Sequence, residues 1–126
     1  MKLMIRKATN ADAEILADLG AKTFYETFRP HNTENDMQAY IKKAYSKNAI
    51  EENLLNKNIQ YFIAFDANAP IGYIKLIKHA SLEKLTTKNN IELEKIYVYN
   101  SYHDKKVGKE LMLTAIQFSK EERFNS

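Results

Sequence analysis

The stretch IELEKIYVYNSYHDKKVGKELMLTAIQFSKE, Ile91–Glu121, decides the reading of this chain. Ile91–Tyr99 has the make-up of a strand: Ile, Leu, Ile, Tyr, Val and Tyr with three charges interleaved. A polar break follows at Asn100–Lys106. Val107 then opens a helix expected to run to about Glu121, with Val107, Leu111, Ala115 and Phe118 on one apolar stripe. A strand, a short basic loop with a glycine, and a helix together aim backbone N–H groups at an anion, because the first turn of a helix has donors without partners and a favourable dipole. Gly108 permits close approach of a ligand to the backbone, and Lys105, Lys106 and Lys109 add positive charge. By spacing alone, the same residues also suit an ordinary strand-to-helix turn.

Outside this unit, 126 residues suit one domain with one modest core. A hydrophobic fraction of 44% and a charged fraction of 28% are those of a soluble globular protein. No apolar run reaches bilayer length, and Met1–Arg6 lacks the apolar region of a signal peptide, so the cytoplasm is the expected location. The absence of cysteine excludes disulfides and thiol catalysis, and the three histidines lack metal-ligand spacing, so no metal is expected. A net charge of +3 with scattered basic residues fits a nucleic-acid stripe poorly and leaves a phosphate-bearing small ligand open.

In chain order, Leu3–Lys7 reads as a first strand. Thr9 and Asp12 form a capping box ahead of a helix from about Asn10 to Phe28, which ends where Pro30 disfavours helical geometry at Arg29. Thr33 and Asp36 form a second box ahead of a helix carrying Met37, Tyr40, Ile41 and Tyr45. Ser46–Asn48 breaks it, and Ala49–Leu55 is a further short helix. Ile59–Phe65, almost continuously apolar, is expected to be a central strand. Asp66–Pro70 turns it into Ile71–Ile77, an antiparallel hairpin in which Gly72 marks a bulge or a close backbone contact. Ala80–Asn90 is a polar connection with the composition of a flexible one. The order is β-α-α-α-β-β-β-α, an α+β layer architecture with a mostly antiparallel sheet.

At this point the chain resembles the GNAT acetyltransferase superfamily, and within it the PaiA-like polyamine N-acetyltransferases. The likeness is carried by Thr23–Phe28, Asn32–Tyr40, Ile71–Lys75, and above all Glu92–Val98 followed by Asn100–Lys109. It implies a single GNAT domain over 1–126 that binds acetyl-CoA as co-substrate. The family's pyrophosphate loop, Gln/Arg-x-x-Gly-x-Gly/Ala, falls on His103, Lys106 and Gly108, and only Gly108 agrees. Lys106 either crowds the pyrophosphate, if its backbone needs positive φ, or pairs with the phosphates. The family continues after this helix to another strand and a further helix, whose tyrosine protonates the leaving thiolate. The chain is therefore expected to be C-terminally truncated, or to have its open 91–99 edge covered by a second copy in a homodimer.

The chemistry implied by the resemblance needs three things: pyrophosphate binding, a polarised thioester and an amine that loses a proton. Backbone groups of His103, Asp104, Lys105, Lys106, Val107, Gly108 and Lys109 are the candidates for the first. For the second, the family pattern places a strand bulge at Ile96, Tyr97 and Val98, whose main-chain groups would bond the pantetheine; Ile96 and Val98 serve equally as core. For the third, Glu94 is the candidate base and Glu92 the runner-up, two apart and so on one strand face; a solvated face or a lysine pair accounts for them as well. Tyr97, on the opposite face, is expected to pack. Glu26 and Glu34 are candidates for binding polyamine ammonium groups, with Asp36 already occupied as a cap partner. The function implied is acetyl transfer to a small polyamine such as spermidine or spermine, with no nucleic-acid or membrane partner. Two alternatives stand beside it: an impaired, self-associating GNAT fragment, or a regulatory module that binds polyamines or phosphates.

Overall fold

The computed structural model describes residues 1–80 and 89–125. Four strands, β1 (Leu3–Lys7), β2 (Ile59–Asp66), β3 (Ala69–Ala80) and β4 (Asn89–Val98), form one sheet in the order β1-β2-β3-β4, with every pairing antiparallel. Helices α1 (Ala13–Phe28), α2 (Glu34–Ala44) and α3 (Lys47–Leu55) lie between β1 and β2 in the chain, and α4 (Val107–Asn125) follows β4. The order expected from sequence holds throughout, with β2 interior as its apolar run implied. Both β3 and β4 reach further into the 80–90 connection than the sequence suggested; 81–88 lie outside the described residues. Ser46 does not break a helix so much as start one: its hydroxyl accepts from Ala49 N–H and α3 begins at Lys47.

The sheet separates two apolar layers. On one face Leu16 and Leu19 of α1, Ile50 of α3 and Tyr45 pack on Tyr61, Ile63, Phe65 and Tyr73. On the other, Val107, Leu111, Ala115 and Phe118 of α4 pack on Phe62, Ala64, Ile71, Ile74 and Leu76. Consecutive β2 and β3 residues alternate between these layers because strand side chains alternate. The predicted α4 stripe is thus the buried stripe. Cutting any fully buried leucine here to alanine costs about 2–5 kcal/mol.

The join between β1 and α1 is fixed by charge. Thr9 and Asp12 make the complete capping box, and Asp12, buried, accepts two bonds from Arg6 at 2.8 and 2.9 Å. The second box is only half made: Thr33 Oγ1 accepts from Asp36 N–H at 3.1 Å, while Asp36 itself is exposed.

Gly72 has a steric reason. A Cβ there would stand 2.9 Å from the carbonyl oxygen of Tyr97 and 3.0 Å from Val98 Cγ2, so β4 could not lie as close to β3. The β2–β3 register also slips between Ala64 and Phe65, opposite Gly72 and Pro70. Both the bulge and the close contact expected of this glycine are present.

Candidate active site

The β4–α4 connection is a three-ten segment, Asn100–Lys105, followed by Lys106 in the left-handed region at φ 63°, ψ 21°. That residue ends the turn and redirects the chain into α4. The first bond of α4 runs from Glu110 N–H to Lys106 C=O at 3.1 Å, so the amides of Val107, Gly108 and Lys109 precede the intrahelical ladder. Lys105, Lys106 and Lys109 are exposed around them. Gly108 has ordinary negative φ, and a Cβ built on it meets nothing within 4 Å. Its missing side chain therefore leaves open space rather than easing the fold. Positive φ falls instead on Lys106, at the family's glycine place.

Three side chains tie this loop down. Tyr102 donates to Asp66 Oδ2 at 2.7 Å, fixing the loop to the β2–β3 turn. His103 Nε2 lies 2.8 Å from the carbonyl oxygen of Val98. The amide of Asn100 donates to Glu26 Oε1 of α1 at 2.9 Å. Asp104 is exposed.

The bulge in β4 is not at Ile96–Val98. Those three residues pair regularly with Ile74, Tyr73 and Gly72, and the register slips earlier: Lys75 pairs with Lys95 but Leu76 with Leu93, which leaves Glu94 as the extra residue. The slip changes which face is which. In an uninterrupted strand Glu94 and Tyr97, three apart, would point oppositely. Here Tyr97 packs with the α1–α3 layer, and Glu94 and Lys95 reach that same layer through Lys75 and Tyr45. Tyr97 does pack, its ring 6.0 Å from that of Tyr73, but on the face the bulged carboxylate shares.

Main-chain direction alternates along the ladder as well. Tyr99 N–H bonds Ile71 C=O, so Tyr97, two back, also turns its groups toward β3, while those of Ile96 and Val98 face the other way. Among the described residues β4 has one strand neighbour, so Ile96 and Val98 present main-chain groups on an open edge, with the Val98 carbonyl engaged by His103.

Glu94 is held. Its Oε1 lies 2.8 Å from Lys75 Nζ, and Lys75 is buried, its ammonium also 5.9 Å from the Tyr61 ring centroid. Glu92 is exposed opposite Ile77. Lys95, two residues from Tyr97 and so on that face by ordinary alternation, donates to Tyr45 at 3.1 Å and to Tyr40 at 3.5 Å and sits over both rings. Burial works against its charge, but the hydrogen bond to Tyr45 and the second phenol outweigh it, and its pKa rises. Lys75, Lys95 and Tyr45 line a partly open cavity of about 230 Å³ that also meets Tyr61, Tyr73 and Asn53. Burial pushes the Tyr61 hydroxyl up to about 12, and pushes Tyr73 up further. Sequence reasoning missed Lys75 and Lys95. A lone charge inside the apolar run Ile71–Ile77 was the available signal for the first; Lys95 lies two residues from Tyr97, and only the bulge brings Glu94 to its face.

Glu26 and Glu34 meet in a second, wider groove of about 710 Å³ between α1, α2 and the β4–α4 connection, with Tyr25, Gln38 and Tyr99. Glu34 accepts from Gln38 at 2.9 Å and Tyr25 at 2.8 Å, and these two donors hold its carboxyl below the usual range. Glu26 and Glu34 come together, then, but apart from Glu94.

A model of the acetyltransferase (GNAT) family matches residues 15–126. The chain is 30% identical to the spermidine N(1)-acetyltransferase of Thermoplasma acidophilum over 124 residues, 95% of this chain and 72% of that protein. Its structure superposes on the crystal structure of PaiA N-acetyltransferase from Thermoplasma acidophilum in complex with coenzyme A with a TM-score of 0.83 and 27% identity, covering 97% of this chain and 74% of the other. An aminoglycoside acetyltransferase from an uncultured soil sample shares the fold at a TM-score of 0.77 and 15% identity, covering 97% and 74%. Among the described residues no helix is long and apolar enough to cross a membrane.

Proposed function

Because this chain belongs to the GNAT acetyltransferase family, we propose that it transfers an acetyl group from acetyl-CoA to a primary amine, with a small polyamine such as spermidine as the acceptor. The observation that carries the reading is the β4–α4 turn: amides at Val107, Gly108 and Lys109 that precede the ladder of α4, behind a left-handed Lys106 and ringed by exposed lysines, in a chain matched by the family over 15–126. The diphosphate of CoA suits these donors, with the helix dipole adding to them. Lys105, Lys106 and Lys109 supply charge to the same group. On the open edge, main-chain groups of Ile96 and Val98 are the candidates to line the pantetheine arm. His103 orders the Val98 carbonyl, and Asp104 flanks the loop.

Bound acetyl-CoA supplies the acyl thioester. The work left to the protein is to orient the amine and take its proton. Glu94 is proposed as the base, directly or through water, with Glu92 second. Its bond to the buried Lys75 holds the exposed carboxylate in one place. The groove with Glu26, Glu34 and Tyr25 suits the distal ammonium groups, because carboxylates and aromatic faces both attract cations.

Calorimetry with CoA tests the cradle, and thiol release from acetyl-CoA with spermidine tests the transfer. Saturable binding with amine-dependent release is expected; a folded sample that binds no CoA overturns the reading. A second reading has its own observation. Leu93 on β4 and Met112 and Ile116 on α4 are 41, 37 and 47% exposed, apolar surface on the elements that form the open edge. Two copies pairing through β4 would cover it. Light scattering decides this: a stable monomer at high concentration sinks it.

A further inference from the structure

Glu26 belongs to two places at once. It lines the groove between α1 and α2, and its Oε1 takes the amide of Asn100, the first residue of the turn that presents Lys105–Lys109. Among the described residues no other side-chain hydrogen bond joins α1 to that turn; Tyr102 and His103 tie it to β2–β3 and to β4. A carboxylate has two oxygens, so a bond from Asn100 to one leaves the other to meet a cation in the groove.

We propose that Glu26 is a positioning residue for the cofactor turn as well as a wall of the acceptor groove. The proposal rests on the function inferred above for the two sites. Its content is separable by chemistry. Holding Asn100 N–H needs an acceptor oxygen, which glutamine retains. Attracting an ammonium needs the negative charge, which glutamine loses. Removing the side chain loses both.

The test uses Glu26→Gln and Glu26→Ala in the full chain. Affinity for CoA and affinity for spermidine are each measured by calorimetry, and amide hydrogen exchange is followed at Asn100. Glu26→Ala is expected to weaken CoA binding about three- to tenfold and to speed exchange at Asn100, with Glu26→Gln close to the parent in both; the net worth of one hydrogen bond is about this much. Spermidine binding is expected to weaken in both variants. Equal CoA affinity and equal exchange in all three proteins overturn the proposal. So does equal weakening in both variants, which would mean that charge, not the bond, is felt at the turn. If the parent binds no CoA, the functional reading falls, and exchange at Asn100 still decides whether Glu26 holds the turn.

Discussion

Lys106 and Gly108 have exchanged the roles that a loop of this kind suggests. The left-handed backbone falls on a lysine, and the glycine has an ordinary backbone with empty space beside it. A non-glycine residue in that region costs about 1 kcal/mol, part of which is returned by its smaller unfolded-state entropy. Lys106→Gly should therefore raise stability by about 0.5 kcal/mol, read as a melting temperature higher by a degree or more; a lower one would mean that the side chain, not the turn, governs the loop. Gly108→Ala should leave stability unchanged or slightly raised, and weaken CoA binding if the diphosphate lies against that backbone. Unchanged CoA affinity would move the cradle elsewhere. Asp12 is the other residue whose environment sets a measurable quantity. Bonds from Arg6 keep its carboxyl below the ordinary range, against the opposing effect of burial. Its contribution is then complete above the ordinary carboxylate value near pH 4 and is lost as pH falls through the lowered value. Asp12→Asn should cost about 1.5–3 kcal/mol at neutral pH and flatten the acid limb of the stability curve, as read by urea melts across pH. An unchanged acid limb would assign that limb to other carboxylates.

At the scale of elements, the β3–β4 pair carries the proposed base and the lysine that holds it. Its close approach depends on Gly72, and Gly72→Ala pushes a methyl into the Tyr97 carbonyl and Val98. The backbone cannot yield without opening the ladder, so about 1–3 kcal/mol should be lost, together with the ordering of Lys75 and Glu94 farther along the pair. Protection of the β4 amides against hydrogen exchange measures this directly; unaltered protection would show that the strands can shift to accept the methyl. The elements themselves were legible from residue types: the caps at Thr9 and Thr33, the apolar run of β2, the stripe of α4. Glu94 was legible only as a carboxylate on a strand. Its partner Lys75 and the exchange of faces beyond it come from the extra residue in β4, and a bulge is a property of two strands paired at a distance, not of either one alone.

Across the whole molecule, the α1–α3 face of the sheet is unusually phenolic. Tyr61 and Tyr73 lie in its core, joined to the polar cluster through Asn53 at 3.0 Å and Tyr45 at 3.4 Å. Their hydroxyls are raised by burial, Tyr61 to about 12 and Tyr73 more. A raised acid stabilises the fold fully below the unfolded value near 10, and that stabilisation is lost as pH rises through the folded value. Absorbance of tyrosinate near 295 nm should therefore show a late group of tyrosines that ionise together with loss of near-ultraviolet circular dichroism; ionisation of all eight near pH 10 with the fold intact would contradict this packing.

Sequence by itself determined the succession of elements, the interior place of β2, the buried stripe of α4 and the basic turn before it, because each follows from residues close together in the chain. Tertiary structure alone decided that β4 slips by one residue at Glu94, that this carboxylate comes to the face of Lys75 and Lys95, and that Glu26 reaches Asn100. Those outcomes depend on register and on contacts between residues up to 74 positions apart, and local composition carries no record of either.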